Sequence, residues 1–168
     1  MAANALRVLA HVSRSADVGP AVPFSKVLVD SVDRFDPLVS GWDVHDMGAL
    51  GDLVLPVEAA QAIVDAMILT MTASALHTGA TTRSIRMSEL GPDGLRIVLQ
   101  DDGDTFGSPD SSHERAAMHR EAAELMRSVD GRVDVRPGSR GTTAVVLSWG
   151  SVVVTGTALR PERAEVTA

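Results

Sequence analysis

The sequence has no cysteine and no tyrosine, and only 3% of its 168 residues are aromatic. Without cysteine there are no disulfides, no thiolate metal sites and no thiol nucleophile, a composition that suits a reducing compartment. The scarcity of aromatics removes the stacking platforms that hold single-stranded nucleic acid. Lys26 is the only lysine and the arginines are scattered. With a net charge of −7 the chain lacks the clustered cations that a phosphate backbone demands, so no nucleic-acid partner is expected. No uninterrupted apolar run reaches the roughly 18 residues of a membrane helix, and Arg7 breaks the opening MAANALRVLAHVSR. Neither membrane insertion nor a signal peptide is expected. The chain also lacks the G-x-x-x-x-G-K-[ST] phosphate loop and the G-x-G-x-x-G dinucleotide fingerprint. What remains is an acidic domain expected in the cytoplasm.

Apolar residues make up 45% of the chain, enough for one real core built of Val, Leu, Ala, Ile and Met. Leu6, Val8, Leu9 and Val12 predict a short helix over 4–14. Gly19, Pro20 and Pro23 break the pattern before an amphipathic helix over FSKVLVDSVDRF. A short strand is expected around Asp43 to Met47, and Pro56 as the first residue of a long helix over 56–77. TRSIRMSEL and GLRIVLQ read as a hairpin turned by GPDG, followed by a helix over 114–127. GRVDVRP and TTAVVLSW form a second pair. Paired strands with helices between them predict an α+β fold, a two-layer sandwich with a mixed, mostly antiparallel sheet and helices on one face.

The stretch LRIVLQDDGDTFG ends a clean strand in carboxylates and glycines. A calcium loop is excluded, because the alternating acidic pattern with its terminal Glu is absent. A tight turn and the floor of a nucleotide pocket both remain open at this level, since Asp-Gly supplies the backbone freedom either needs. The histidines carry little. HERAA at His113 has Ala117 where a second zinc ligand would stand, so His113 and His119 read as exposed polar residues. His77 closes the long helix, where a cation suits the helix dipole.

Taken together, the long helix ending in ALHTGA, the strand ending in DDGDTF, the helix REAAELM and the closing GRVDVRPGSRGTTAVVLSW resemble a known family. In that order they are similar to the ATP-binding domain of sensor histidine kinases, the superfamily of DNA gyrase and heat-shock chaperones (GHKL, or Bergerat fold). The resemblance covers roughly residues 20 to 150 and implies an open α/β sandwich with ATP between the long helix and a lid. It implies that Asp101 matches the carboxylate that receives the adenine amino group and Gly103 the first glycine of the D-x-G-x-G motif. Thr105 stands where the second glycine belongs. Gly141 and Thr142 match a late Gly-Thr pair of the base pocket, and His77 the histidine before the Gly-Ala turn.

The departures fall on the phosphate side. The signature Glu and the magnesium-binding Asn of the long helix fall on Leu69 and Ala73, which cannot bind a hard cation. Leu76 replaces a basic residue, and the lid segment, roughly Gly107 to Ala117, lacks G-x-G-L. Glu58, Gln61, Asp65 and Thr72 mark the polar face of the helix, with Leu69 and Leu76 beside it and Ala73 at its edge. Such an apolar stripe is covered either by a shortened lid or by a partner surface. His11, followed by Val12 rather than an acid, is not expected to be a phosphoacceptor.

The expected layout is a dimerisation-segment remnant over 1–19, the kinase-like domain over 20–157 and a polar tail over 158–168. The expected function is a degenerate (pseudokinase) regulatory or interaction module of two-component signalling. It would lack catalytic residues, bind ATP weakly or not at all, bind no magnesium, and engage a protein partner or a second copy. The alternatives are an active domain phosphorylating a partner histidine and an anti-sigma-factor-type regulator.

Overall fold

The computed structural model describes residues 20–39, 41–45, 53–91, 94–103, 109–137 and 142–150. The expected helix over 4–14, His11 and the tail over 158–168 lie outside them. The described elements are β1 (Ala21–Pro23), α1 (Phe24–Val39), β2 (Asp43–His45), β3 (Val54–Pro56), α2 (Val57–His77), β4 (Arg83–Glu89), β5 (Leu95–Asp101), α3 (Pro109–Ser128), β6 (Arg132–Pro137) and β7 (Thr143–Trp149).

Alternation builds the sheet. In β5, Leu95, Ile97, Leu99 and Asp101 are buried while Arg96 and Gln100 are exposed, so one face meets the core and the other solvent. The strand order is β2-β4-β5-β7-β6, antiparallel except for the parallel β2–β4 pair, with β2 and β6 at the edges. Register lines up the inward residues in rows: Met87, Ile97 and Leu147, then Ile85, Leu99 and Val145. With Phe24, Leu28, Ile63, Met67, Met71 and Met126 of the helices they make one core. The molecule is an α+β two-layer sandwich, as the pattern of elements predicts.

The sequence reading misses two short strands. β1 and β3 pair antiparallel in a two-stranded sheet of their own. This sheet anchors both helix starts: Phe24 N–H donates to the Leu53 carbonyl and Val57 N–H to the Pro20 carbonyl, at 2.9 and 3.1 Å. Each bond satisfies a donor that a helix N-terminus leaves free. Pro56 is accordingly the last strand residue and the N-cap of α2, which begins at Val57, one position later than expected.

α2 is the central helix, and by length and composition it could cross a membrane, which qualifies the count of uninterrupted apolar runs. Most of it is buried inside the fold, the profile of a core helix. His77 at its end lies beside Glu114 near the start of α3, so the two helices run antiparallel. Ala59, Ala62, Ala66 and Ala73, all buried, share the face of α2 that carries His77. Small side chains there let α3 lie close along α2.

α3 corrects the expected lid. The helix begins at Pro109, five residues before the expected start at Glu114, so most of the stretch assigned to a lid is helical. Residues 104–108, with Thr105, lie outside the described residues, as does Gly141. His119 is half-buried on this helix rather than exposed; His113 is exposed, as expected.

Candidate functional site

Asp101 continues the inward column of β5 one step beyond Leu99, so a carboxylate stands where the apolar pattern calls for another core residue. In register it faces Arg83 on β4 and Thr143 on β7. Its neighbour Asp102 points outward and serves the backbone. Asp102 Oδ1 accepts the Thr81 and Thr82 N–H groups and Oδ2 accepts the Thr81 hydroxyl, all at 2.8 Å. The Thr82 N–H and the Thr81 hydroxyl hold its pKa well below the usual carboxylate range. Asp102 thus ties the turn after α2 to the end of β5 and leaves Asp101 as the buried acid.

Around Asp101 the groups converge from three elements. Its Oδ1 accepts the Gly103 N–H at 3.1 Å. Its Oδ2 lies 3.9 Å from Arg115 Nη2 of α3, with the two side chains 7% and 8% exposed. That distance is an ion pair without a hydrogen bond. His77 Nε2 lies 3.7 Å from Glu114 Oε2. Thr143 Oγ1, Arg115 Nε and His77 Nε2 are buried with no hydrogen-bond partner. Asp101, Arg115 and Thr143 therefore bring a carboxylate, a guanidinium and a hydroxyl together in the interior, while the His77 imidazole faces Glu114.

Gly103 is required by packing. A Cβ there would lie 2.3 Å from Thr78 Cβ and 2.5 Å from the Thr78 carbonyl oxygen. The loop after β5 passes directly over the C-cap of α2, where the Thr78 hydroxyl donates to the Ser74 carbonyl at 2.8 Å.

Of the residues singled out in the sequence, Asp101 and Gly103 come together, and Gly103 packs on Thr78, the chain neighbour of His77. Thr142 is displaced by one position: it precedes β7, and the hydroxyl on Asp101's face belongs to Thr143, since strand side chains alternate. Ala73 is fully buried, not at the edge of the exposed face. Leu69 packs against the rim of the core and Leu76 is 65% exposed. Neither Leu69 nor Ala73 carries an oxygen donor, and the described residues contain no group of three His, Asp or Glu side chains able to hold a metal.

Sequence reasoning missed Arg115, Thr143 and Arg83, whose Nε donates to Ser74 Oγ at 3.1 Å. A signal existed for Arg115. Positions 115, 119, 122 and 126 share one face of α3, and the last two are the buried Ala122 and Met126. Charged or titratable residues in a core stripe mark a buried polar site.

His119 on that stripe has a pKa lowered to about 4 from 6.5, chiefly by burial and then by the Arg115 charge. The native state therefore refuses a proton that the unfolded chain accepts. Stability is full above pH 6.5 and declines as pH falls towards 4. The ceiling is about 1.4 kcal/mol per pH unit for one proton, reduced by partial exposure. The expected result is a urea midpoint that drops between pH 6.5 and 4.5, and less steeply in His119→Gln. Equal slopes in the two proteins would exclude His119 as the cause. The Asp102 clasp is lost only below its ordinary value of 3.8, outside this window.

No protein-family model matches the sequence, and no curated protein matches it. Solved structures do. The histidine kinase domain of the blue-light-activated kinase EL346 from Erythrobacter litoralis superposes with a TM-score of 0.52 at 18% identity. The match covers 76% of this chain and 64% of that one, so this chain spans just under two thirds of its length. The histidine kinase AdeS of Acinetobacter baumannii gives 0.53 at 12% identity, covering 85% and 73%. At such identities the likeness concerns the fold: this chain has the fold of histidine-kinase-type (GHKL-like) domains.

Proposed function

We propose that this domain is a degenerate histidine-kinase-like module of two-component signal transduction, acting in the cytoplasm by protein interaction rather than by phosphoryl transfer. The observation that carries the reading is the state of Asp101. The residue that matches the adenine-contacting carboxylate is committed to Arg115, a side chain of the same chain. Two further observations support it. Ala73 stands at the metal-binding position and is fully buried, and helix α3 begins where a phosphate lid is expected. In this reading Asp101, Gly103 and His77, with Thr143 in place of Thr142, are remnants of the base side of an ATP site. The phosphate side has become a helix–helix seam. Leu76, exposed at the end of α2, belongs to the surface that meets a protein partner or a second copy.

Calorimetric titration of the wild-type protein with ATP and ADP, with and without magnesium, tests this. The expected result is no magnesium-dependent heat and a dissociation constant weaker than about 1 mM. Tight, magnesium-dependent ATP binding would overturn the reading in favour of an active kinase domain. Any residual binding should disappear in Asp101→Asn; if it persists unchanged, the pocket has been placed wrongly.

A further inference from the structure

The face of the five-stranded sheet that turns away from the core is basic, in a chain whose net charge is −7. Strand alternation sets Arg86 of β4, Arg96 of β5 and Arg132, Asp134 and Arg136 of β6 on this face, each one position out of step with the core residues. At the margin β2 adds Asp43 and His45. Four arginines thus stand against two aspartates, so the positive charge is gathered here and the rest of the chain is more acidic than the whole.

Sheets are stabilised when opposite charges meet across strands, and here they do not. In register Arg86 meets Val98, Arg96 meets Ser88 and Ser148, and Arg132 meets Ser148. Arg136 pairs with Asp134 at 3.1 Å, which leaves Arg86, Arg96 and Arg132 exposed and without an ion pair among the described residues. Arg86 and Arg96 are diagonal neighbours, about 7–8 Å apart at the backbone. Arg96 and Arg132 lie two strands apart, about 10 Å. Val98 and Val146, partners in register, lie between them as an apolar floor.

We propose that this outward sheet face docks a short acidic segment of a protein partner, whose carboxylates are bound by Arg86, Arg96 and Arg132 over the floor of Val98 and Val146. The planar fork of a guanidinium matches a carboxylate with two parallel hydrogen bonds. An apolar centre ringed by arginine is also how protein interfaces are built. A short segment fits the charge of the whole molecule as well. A nucleic acid or an anionic membrane would extend past this face onto a chain that is otherwise acidic, and be repelled there. Asp101 points to the opposite side of the sheet, so the surface is independent of any nucleotide site.

The test is a nitrogen-15 titration of the whole chain with a peptide of alternating Glu and Ala, at about 0.15 M salt. Backbone resonances of β4, β5, β6 and β7 should shift saturably, with a Kd of about 0.1–1 mM, while those of α3 stay in place. Arg96→Glu with Arg132→Glu should weaken binding at least about 10-fold and confer binding of the matching Lys-Ala peptide. Arg120→Glu, which reverses an exposed arginine of α3, should change the affinity less than about 2-fold. If the double reversal does not fold, Arg96→Gln with Arg132→Gln replaces it and should weaken binding about 5-fold. No shift with the Glu peptide, shifts confined to the helices, or an equal loss in Arg120→Glu would each overturn the proposal. So would tighter binding to phosphatidylserine vesicles or to single-stranded DNA than to the peptide, which would assign the face to a membrane or a nucleic acid. Binding of magnesium-ATP by wild type bears on the kinase reading alone.

Discussion

Asp101→Leu is expected to lower folding stability by about 3–5 kcal/mol, the usual effect of leaving one member of a buried ion pair without its partner. Arg115 cannot escape by losing its proton, because a guanidinium stays charged in proteins. The reverse change, Arg115→Met, should be milder. The orphaned Asp101 keeps its bond from the Gly103 N–H. Replacing both, Asp101→Leu with Arg115→Met, should recover most of the loss, because desolvation of two charges offsets much of their attraction. Urea unfolding at pH 7 with an unchanged m-value measures all three. If the double variant is no more stable than Asp101→Leu alone, the two residues are not a coupled pair.

Gly103→Ala should lower stability by about 1–3 kcal/mol, the range for forcing atoms into a filled space. The obstacle is the Thr78 backbone carbonyl as well as its side chain, so no rotamer change relieves the clash. Relaxation must move the end of β5 or the C-cap of α2. Gly79 provides the comparison, since its φ of +59° penalises alanine while nothing crowds the new methyl group. Gly79→Ala should therefore cost only the backbone term, about 1–2 kcal/mol. The two also differ in kind. Movement at Gly103 shifts the Asp101 carboxylate against Arg115, whereas strain at Gly79 stays in the turn. Nitrogen-15 spectra should show perturbed resonances across Asp101, Arg115 and Thr143 for Gly103→Ala alone.

The sandwich was legible because its long elements repeat. Leu95, Ile97 and Leu99 alternate over enough residues to name a strand, and the apolar run of α2 is long enough to name a helix. β1 and β3 were not legible. Three residues carry too little alternation, and Pro23 and Pro56 inside them read as breaks. The start of α3 was hidden because Pro109 to Ser112 are polar, and only the helix they begin reveals them. The candidate site was half visible. Asp101 announces itself by ending an apolar strand, but Arg115 lies in a different helix, and sequence gives no distance between them. Thr142 and Thr143 differ by one position in register, which decides the face and which a pair of identical residues cannot disclose.

The margins of the five-stranded sheet limit how this protein can assemble. An open strand edge invites another chain to pair with it, and proteins blunt that hazard with short strands, charge and proline. β2 offers three residues, and β6 is short and carries Arg132, Asp134, Arg136 and, at its end, Pro137. Growth of the sheet into a larger one, or into a fibre, is opposed at both ends. At the described edges, strand pairing between two copies is therefore disfavoured.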